Sequence, residues 1–92
     1  MNWRRHVESV LLVVSELVTN AVRHARTDIT VRLRCSEDRI LVEVGDHDSR
    51  LPRLAGDAPD RESGRGLHMV AALAHRWGVR PGRTGKTVWV EM

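Results

Sequence analysis

Two seven-residue runs, Ile29–Cys35 and Ile40–Asp46, place apolar side chains at alternate positions, and only Ser36-Glu37-Asp38-Arg39 separates them. Successive side chains on a strand point to opposite faces, so the pair reads as an antiparallel hairpin with one apolar and one solvated face. An apolar sheet face needs a second layer to cover it. The residues ahead of the hairpin supply one. From Val7 to about Ala25 the pattern is helical: Val10, Val14, Leu17, Val18, Ala21, Val22 and Ala25 share a broad arc, and Glu16, Thr19, Asn20, Arg23 and His24 share the other side. Thr27-Asp28 breaks the pattern.

On the return strand Ile40, Val42, Val44 and Asp46 share a face. A carboxylate closing a buried row needs a partner, because burying it alone is costly. Beyond it, His47 to Ser63 is polar, holds Pro52, Gly56 and Pro59, and shows no period. A loop of that length in so short a chain is usually functional or mobile. Gly64-Arg65-Gly66 then opens an apolar helix, Leu67 to Trp77, with Leu67, Val70, Ala71, Ala74 and Trp77 at helical spacing and Gly78 as its stop. Val79-Arg80 begins a strand, residues 81–85 form a turn, and Thr87 to Glu91 form the last strand. The order predicts an α+β fold: a two-layer α/β sandwich whose mostly antiparallel (mixed) sheet carries its helices on one face. With 92 residues, one domain spanning 1–92 is expected.

Phe and Tyr are absent, so the core must come from Val, Leu, Ile, Ala and Met, with Trp3, Trp77 and Trp89 the only large rings. The net charge is +3 and the pI about 10.4, which raises a nucleic-acid reading. The arginines are scattered, however, and no Phe or Tyr can stack on bases. The basicity is expected to attract anionic ligands or acidic proteins mildly, and no nucleic-acid partner is expected. Cys35 is the only cysteine, which excludes a disulfide framework and a cysteine metal cluster; a small buried residue on a strand is expected there. The apolar run between Glu8 and Glu16 is too short for a signal sequence or a membrane span, so a cytoplasmic protein with no membrane partner is expected.

Three clusters can carry chemistry. Glu16, Asn20, Arg23 and His24 stand at i, i+4, i+7 and i+8, which projects all four from one helix face. An Asn oxygen can ligate Mg²⁺, a carboxylate one turn away can accept a proton, and an arginine can meet a phosphate oxygen. Any amphipathic helix, though, presents a polar face of this kind. Gly64-x-Gly66 before a helix allows close backbone approach to an anion, or marks an ordinary loop end. Asp46 can accept the amino group of adenine, or simply end a strand in a turn. Gly85-Lys86-Thr87 looks like the tail of a P-loop, but the glycine such a loop needs five positions earlier is Arg80, and a strand follows.

Taken together and in order, these pieces resemble the GHKL ATPase superfamily with its Bergerat (histidine-kinase-like ATPase) fold, and within it the anti-sigma-factor serine/threonine protein kinases. Residues 13–25 look like the N box, Val42-Glu43-Val44-Gly45-Asp46 like the first glycine-box strand, and Gly64-Arg65-Gly66-Leu67-His68-Met69-Val70 like the second glycine box. Trp77 to Arg80 and Gly85 to Trp89 look like the closing strands. The resemblance implies ATP and Mg²⁺ as cofactors, Glu16 as catalytic base, Asn20 as the Mg²⁺ ligand, and Arg23 near the phosphates. It implies Asp46 on the adenine amino group with Thr87 in support, residues 49–63 as the ATP lid, and Gly64, Arg65, Gly66 and Leu67 on phosphate. The implied activity is transfer of the γ-phosphoryl group to a serine of an anti-sigma-factor antagonist, with a sigma factor as second protein partner. The alternative is a non-catalytic nucleotide-binding or protein-interaction regulator of the same fold. Two departures stand out. His47-Asp48-Ser49 follows Asp46 where the family ordinarily carries a glycine, and only Met1 to Glu8 precede the N box where the family carries a strand and a longer helix. The chain is therefore expected to be N-terminally short, with a partner or a homodimer covering the exposed sheet edge.

Overall fold

The computed structural model describes residues 3–49 and 68–92. In chain order these form α1 (Trp3–His24), β1 (Thr30–Cys35), β2 (Ile40–Asp46), a helical segment over 68–73, β3 (Arg76–Pro81) and β4 (Lys86–Glu91). The four strands make one sheet in the order β1-β2-β4-β3, and every described pairing is antiparallel. The expected α+β architecture holds.

Register assigns each residue to a face. Val31 lies opposite Val44, Val44 opposite Val88, and Val79 opposite Val88; the next row is Leu33, Val42, Val90 and Trp77. These rows form the apolar face. α1 packs on it over β2, where Val13, Leu17 and Ala21 join Val42, Val44, Val70, Val88, Val90 and Met92 in one buried cluster. Val13, Val42, Val44, Val70 and Val90 are fully buried. Removing each from water contributes about 1.5–3 kcal/mol, which makes this valine row the main apolar term holding the two layers together. The buried stripe of α1 thus runs through Val13, while Val22, on the expected apolar arc, is 56% exposed.

Because α1 sits over β2, the outer strand β1 is left uncovered. Val31 and Leu33 stay 46% and 53% exposed, and Cys35 is exposed rather than buried as its strand position suggested. Alternation sets which face a side chain takes, but not whether anything covers that face.

Trp77 and Gly78 also lie outside the expected helix. The helical segment ends at residue 73, with one further turn bond from the Ala74 N–H to the Val70 carbonyl. The chain joins the sheet at once, where the His75 N–H meets the Glu91 carbonyl. Trp77 is a strand residue facing the core, and Gly78 is no helix stop. A Cβ on Gly78 would lie 2.9 Å from Cζ2 of Trp89, so glycine there lets the indole lie across β3. Trp77 and Val79 satisfy a two-residue period as well as a helical one, and so short a run cannot distinguish them. The stop that does carry a signature is at the end of α1. The Ala25 N–H bonds the Ala21 carbonyl, and Arg26 follows with φ 54°, the left-handed conformation that ends many helices.

Candidate functional site

Asp46 ends β2 on the helix-covered face, in line with Val42 and Val44, and is 8% exposed. Its Oδ1 accepts two hydrogen bonds, from the Asp48 N–H at 2.8 Å and from Lys86 Nζ at 3.1 Å. Lys86 stands directly opposite on β4 and also donates to the Asp48 carbonyl at 2.8 Å. The partner that a buried carboxylate requires is therefore Lys86, and both side chains are almost wholly sheltered, at 9% and 3% exposure. Among the described residues Asp46 Oδ2 accepts no hydrogen bond.

Two further contacts fix this corner. Thr27 Oγ1, just past α1, accepts the His47 N–H at 3.0 Å and ties the end of the helix to the end of β2. Gly85 lies against the same peptide: a Cβ there would stand 1.9 Å from the Asp46 carbonyl oxygen. Sequence reading missed Gly85 and Lys86 as positioning residues. The signal for Lys86 was present, because Val88 and Val90 face the core and alternation carries Lys86 to the same face.

The same parity removes Thr87 from Asp46. Thr87 pairs with Gly45, and its Oγ1 is 3.4 Å from where a Gly45 Cβ would stand, on the opposite face of the sheet. The structure does not bring Thr87 to the Asp46 carboxylate.

On α1, Glu16 and Asn20 are half-buried while Arg23 and His24 are exposed. The Asn20 Nδ2 atom is buried and has no hydrogen-bond partner. An unsatisfied buried amide costs about 1–3 kcal/mol, which a polar ligand beside it would relieve. Among the described residues no group of three or more His, Cys, Asp or Glu could hold a metal ion. A hard cation here would thus take most of its oxygens from phosphates and water, as Mg²⁺ commonly does, and a single Asn donor fits that role. Gly64, Arg65, Gly66, Leu67 and residues 50–63 of the expected lid lie outside the described residues.

The opposite face of the sheet is polar. Glu43 is 5% exposed there, with Arg80 Nη2 at 2.6 Å from Oε2 and Arg34 Nε at 3.4 Å from Oε1. The Arg80 hydrogen bond holds its carboxyl below the usual carboxylate range against the opposing effect of burial, with further help from Arg34 and Arg32. At the far end of that face Arg76 and Glu91 form a second pair at 3.1 Å, which lowers Glu91 likewise. No helix among the described residues is long and apolar enough to cross a membrane.

A family model for the histidine kinase-like ATPase domain matches residues 4–92. No curated protein matches the chain. The match spans α1, the Asp46 corner and the closing strands, the elements from which the site above is built. The chain belongs to the histidine kinase-like ATPase domain family, the GHKL type of ATP-binding domain.

Proposed function

We propose that this chain is the ATP-binding domain of an anti-sigma-factor-type serine/threonine protein kinase, transferring the ATP γ-phosphoryl group to a serine of an anti-sigma-factor antagonist and holding a sigma factor. The observation that carries the reading is the buried Asn20 Nδ2, a donor without a partner one helical turn from Glu16, which a phosphate oxygen would satisfy. The Thr27–His47 bond ties the end of that helix to the Asp46 corner.

In this reading Lys86 and the Asp48 N–H hold one oxygen of Asp46, leaving the other to accept the adenine amino group. An acceptor-only carboxylate favours adenine over guanine at that point. Asn20 turns its amide toward the phosphates and contributes an oxygen to Mg²⁺, which when bound would neutralise charge on the transferring group. Arg23 meets a phosphate oxygen, and Glu16 accepts the proton of the attacking serine hydroxyl. Gly64, Arg65, Gly66 and Leu67 complete the phosphate contacts. Such a protein works in the cytoplasm, where ATP and sigma factors are found.

The exposed apolar side chains favour a second reading. Leu11 at 63% and Val22 at 56% on α1, with Val31 and Leu33 on β1, suit protein contact and so a non-catalytic regulator of the same fold, or a homodimer joined through this edge.

Calorimetric titration with Mg-ATP, with Mg-GTP as control, tests the shared premise. Saturable ATP binding, weak for GTP and lost in Asp46→Asn, is the expected result. Phosphotransfer then separates the two readings. Glu16→Ala should abolish it and leave ATP affinity within about threefold of the parent, a difference below the ~1.4 kcal/mol of a tenfold change. Undiminished phosphotransfer by that variant would remove Glu16 from its role, and a folded chain that transfers no phosphate to any serine substrate would leave the regulator reading.

A further inference from the structure

The polar face of the sheet holds a pocket that borders the nucleotide corner at Asp46, His47, Gly85 and Lys86 and extends away from it over residues the nucleotide reading does not use. Its floor is the row Thr30, Gly45, Thr87 and Arg80, four directly paired residues at the Asp46 end of the strands. Gly45 opens it: with no side chain in the middle of the row, a depression of about 280 Å³ remains between Thr30 and Thr87. Arg32 and Glu43 in the next row and Arg83 in the turn between β3 and β4 close its sides. No residue of α1 lines it.

Charge identifies what would fill it. Glu43 neutralises Arg80 at 2.6 Å, and Asp46 neutralises Lys86 at 3.1 Å. Arg32 and Arg83 remain, and among the described residues neither has a hydrogen-bond or ion-pair partner. The wall therefore carries a surplus of two positive charges, and arginine and threonine side chains border one small space. The Glu43 contact also pulls Arg80 across β4 toward β2 and holds it over the pocket floor. Planar guanidinium forks of this kind suit tetrahedral oxyanions. The volume of about 280 Å³ accommodates such an anionic group.

We infer that this pocket is a site for a phosphate-class dianion, gripped by Arg32, Arg83 and Arg80 with the Thr30 and Thr87 hydroxyls, on the sheet face opposite the ATP-binding helix. The dianion is either inorganic phosphate or the terminal group of a phosphomonoester, which share the same chemistry.

The test is an ¹H–¹⁵N NMR titration of the whole chain at constant ionic strength, with inorganic phosphate in one arm and glycerol phosphate in the other. Saturable shifts are expected at the Thr30, Gly45 and Thr87 amides. They should weaken at least tenfold in Arg32→Gln/Arg83→Gln and stay unchanged in Arg76→Gln, which alters the far end of the same face. Both arms saturating means the site takes the phosphoryl group whatever it is attached to; saturation by phosphate alone restricts it to the free ion. Shifts that never saturate, or that survive the double variant, overturn the assignment. So does a double variant that loses Mg-ATP affinity in parallel, since the pocket would then be part of the nucleotide site. All three arginines are exposed, and circular dichroism of each variant verifies that the fold persists.

Discussion

Replacing Gly85 by alanine adds one methyl group at the point where two backbones touch. The new Cβ would lie 1.9 Å from the Asp46 carbonyl oxygen, 2.8 Å from the Asp46 carbonyl carbon and 2.7 Å from the His47 Cα. All three are main-chain atoms, so no rotamer change can relieve the overlap. Reaching an ordinary 3.4 Å contact requires the strand end and the turn to part by about 1.5 Å. No described glycine has a positive φ, so the effect is steric and not conformational. Overpacking of this kind costs roughly 1–3 kcal/mol. Separating Asp46 from Lys86 adds to it, because breaking a sheltered ion pair costs up to about 3–5 kcal/mol. A net loss of about 3 kcal/mol is expected, and at 4–8 °C per kcal/mol this lowers Tm by roughly 12–24 °C. If Asp46 takes the adenine amino group as proposed, a charge-assisted hydrogen bond worth about 1.5–3 kcal/mol is lost, and ATP affinity should fall on the order of ten- to a hundredfold. Thermal melts followed by circular dichroism, with calorimetric ATP titration below Tm, measure both effects. Gly82→Ala is the control, since its Cβ would meet only the Gly85 carbonyl oxygen at 3.6 Å and carbon at 3.9 Å, both ordinary contacts. If Gly85→Ala melts and binds ATP like Gly82→Ala, the close approach that positions Asp46 is refuted.

Two other outcomes follow from single contacts. Arg26→Gly relieves a side chain held at φ 54° beyond α1, and denaturant unfolding should show a gain of about 1 kcal/mol; a loss would mean the arginine side chain contributes more than the strain removes. Glu43 has its folded pKa lowered from 4.5, chiefly by the Arg80 hydrogen bond, so its contribution is complete above 4.5 and disappears as pH falls through the lower folded value. The melting temperature of the parent should therefore drop more steeply below pH 4.5 than that of Glu43→Gln, and parallel pH profiles would show that the Arg80 contact contributes nothing to stability.

Local pattern determined much of this protein. The hairpin followed from alternation over two short runs, α1 from its helical spacing, and the need for a partner at Asp46 from its place in a buried row, because all three depend on neighbours within a few residues. Lys86 as that partner was also readable, since alternation back from Val88 and Val90 places it there; the family resemblance pointed to Thr87 instead, one residue off and on the wrong face. Other features existed only once the chain had folded. Glu43 and Arg80 are 37 positions apart, and no local pattern joins them. Gly78 and Gly85 look like a helix stop and a turn residue until Trp89 and the Asp46 peptide are brought against them. The exposure of Val31, Leu33 and Cys35 was decided by where α1 came to rest, over β2 and not β1. Periodicity reports which way a side chain points; what meets it there depends on packing between segments far apart in the chain, which only the tertiary structure sets.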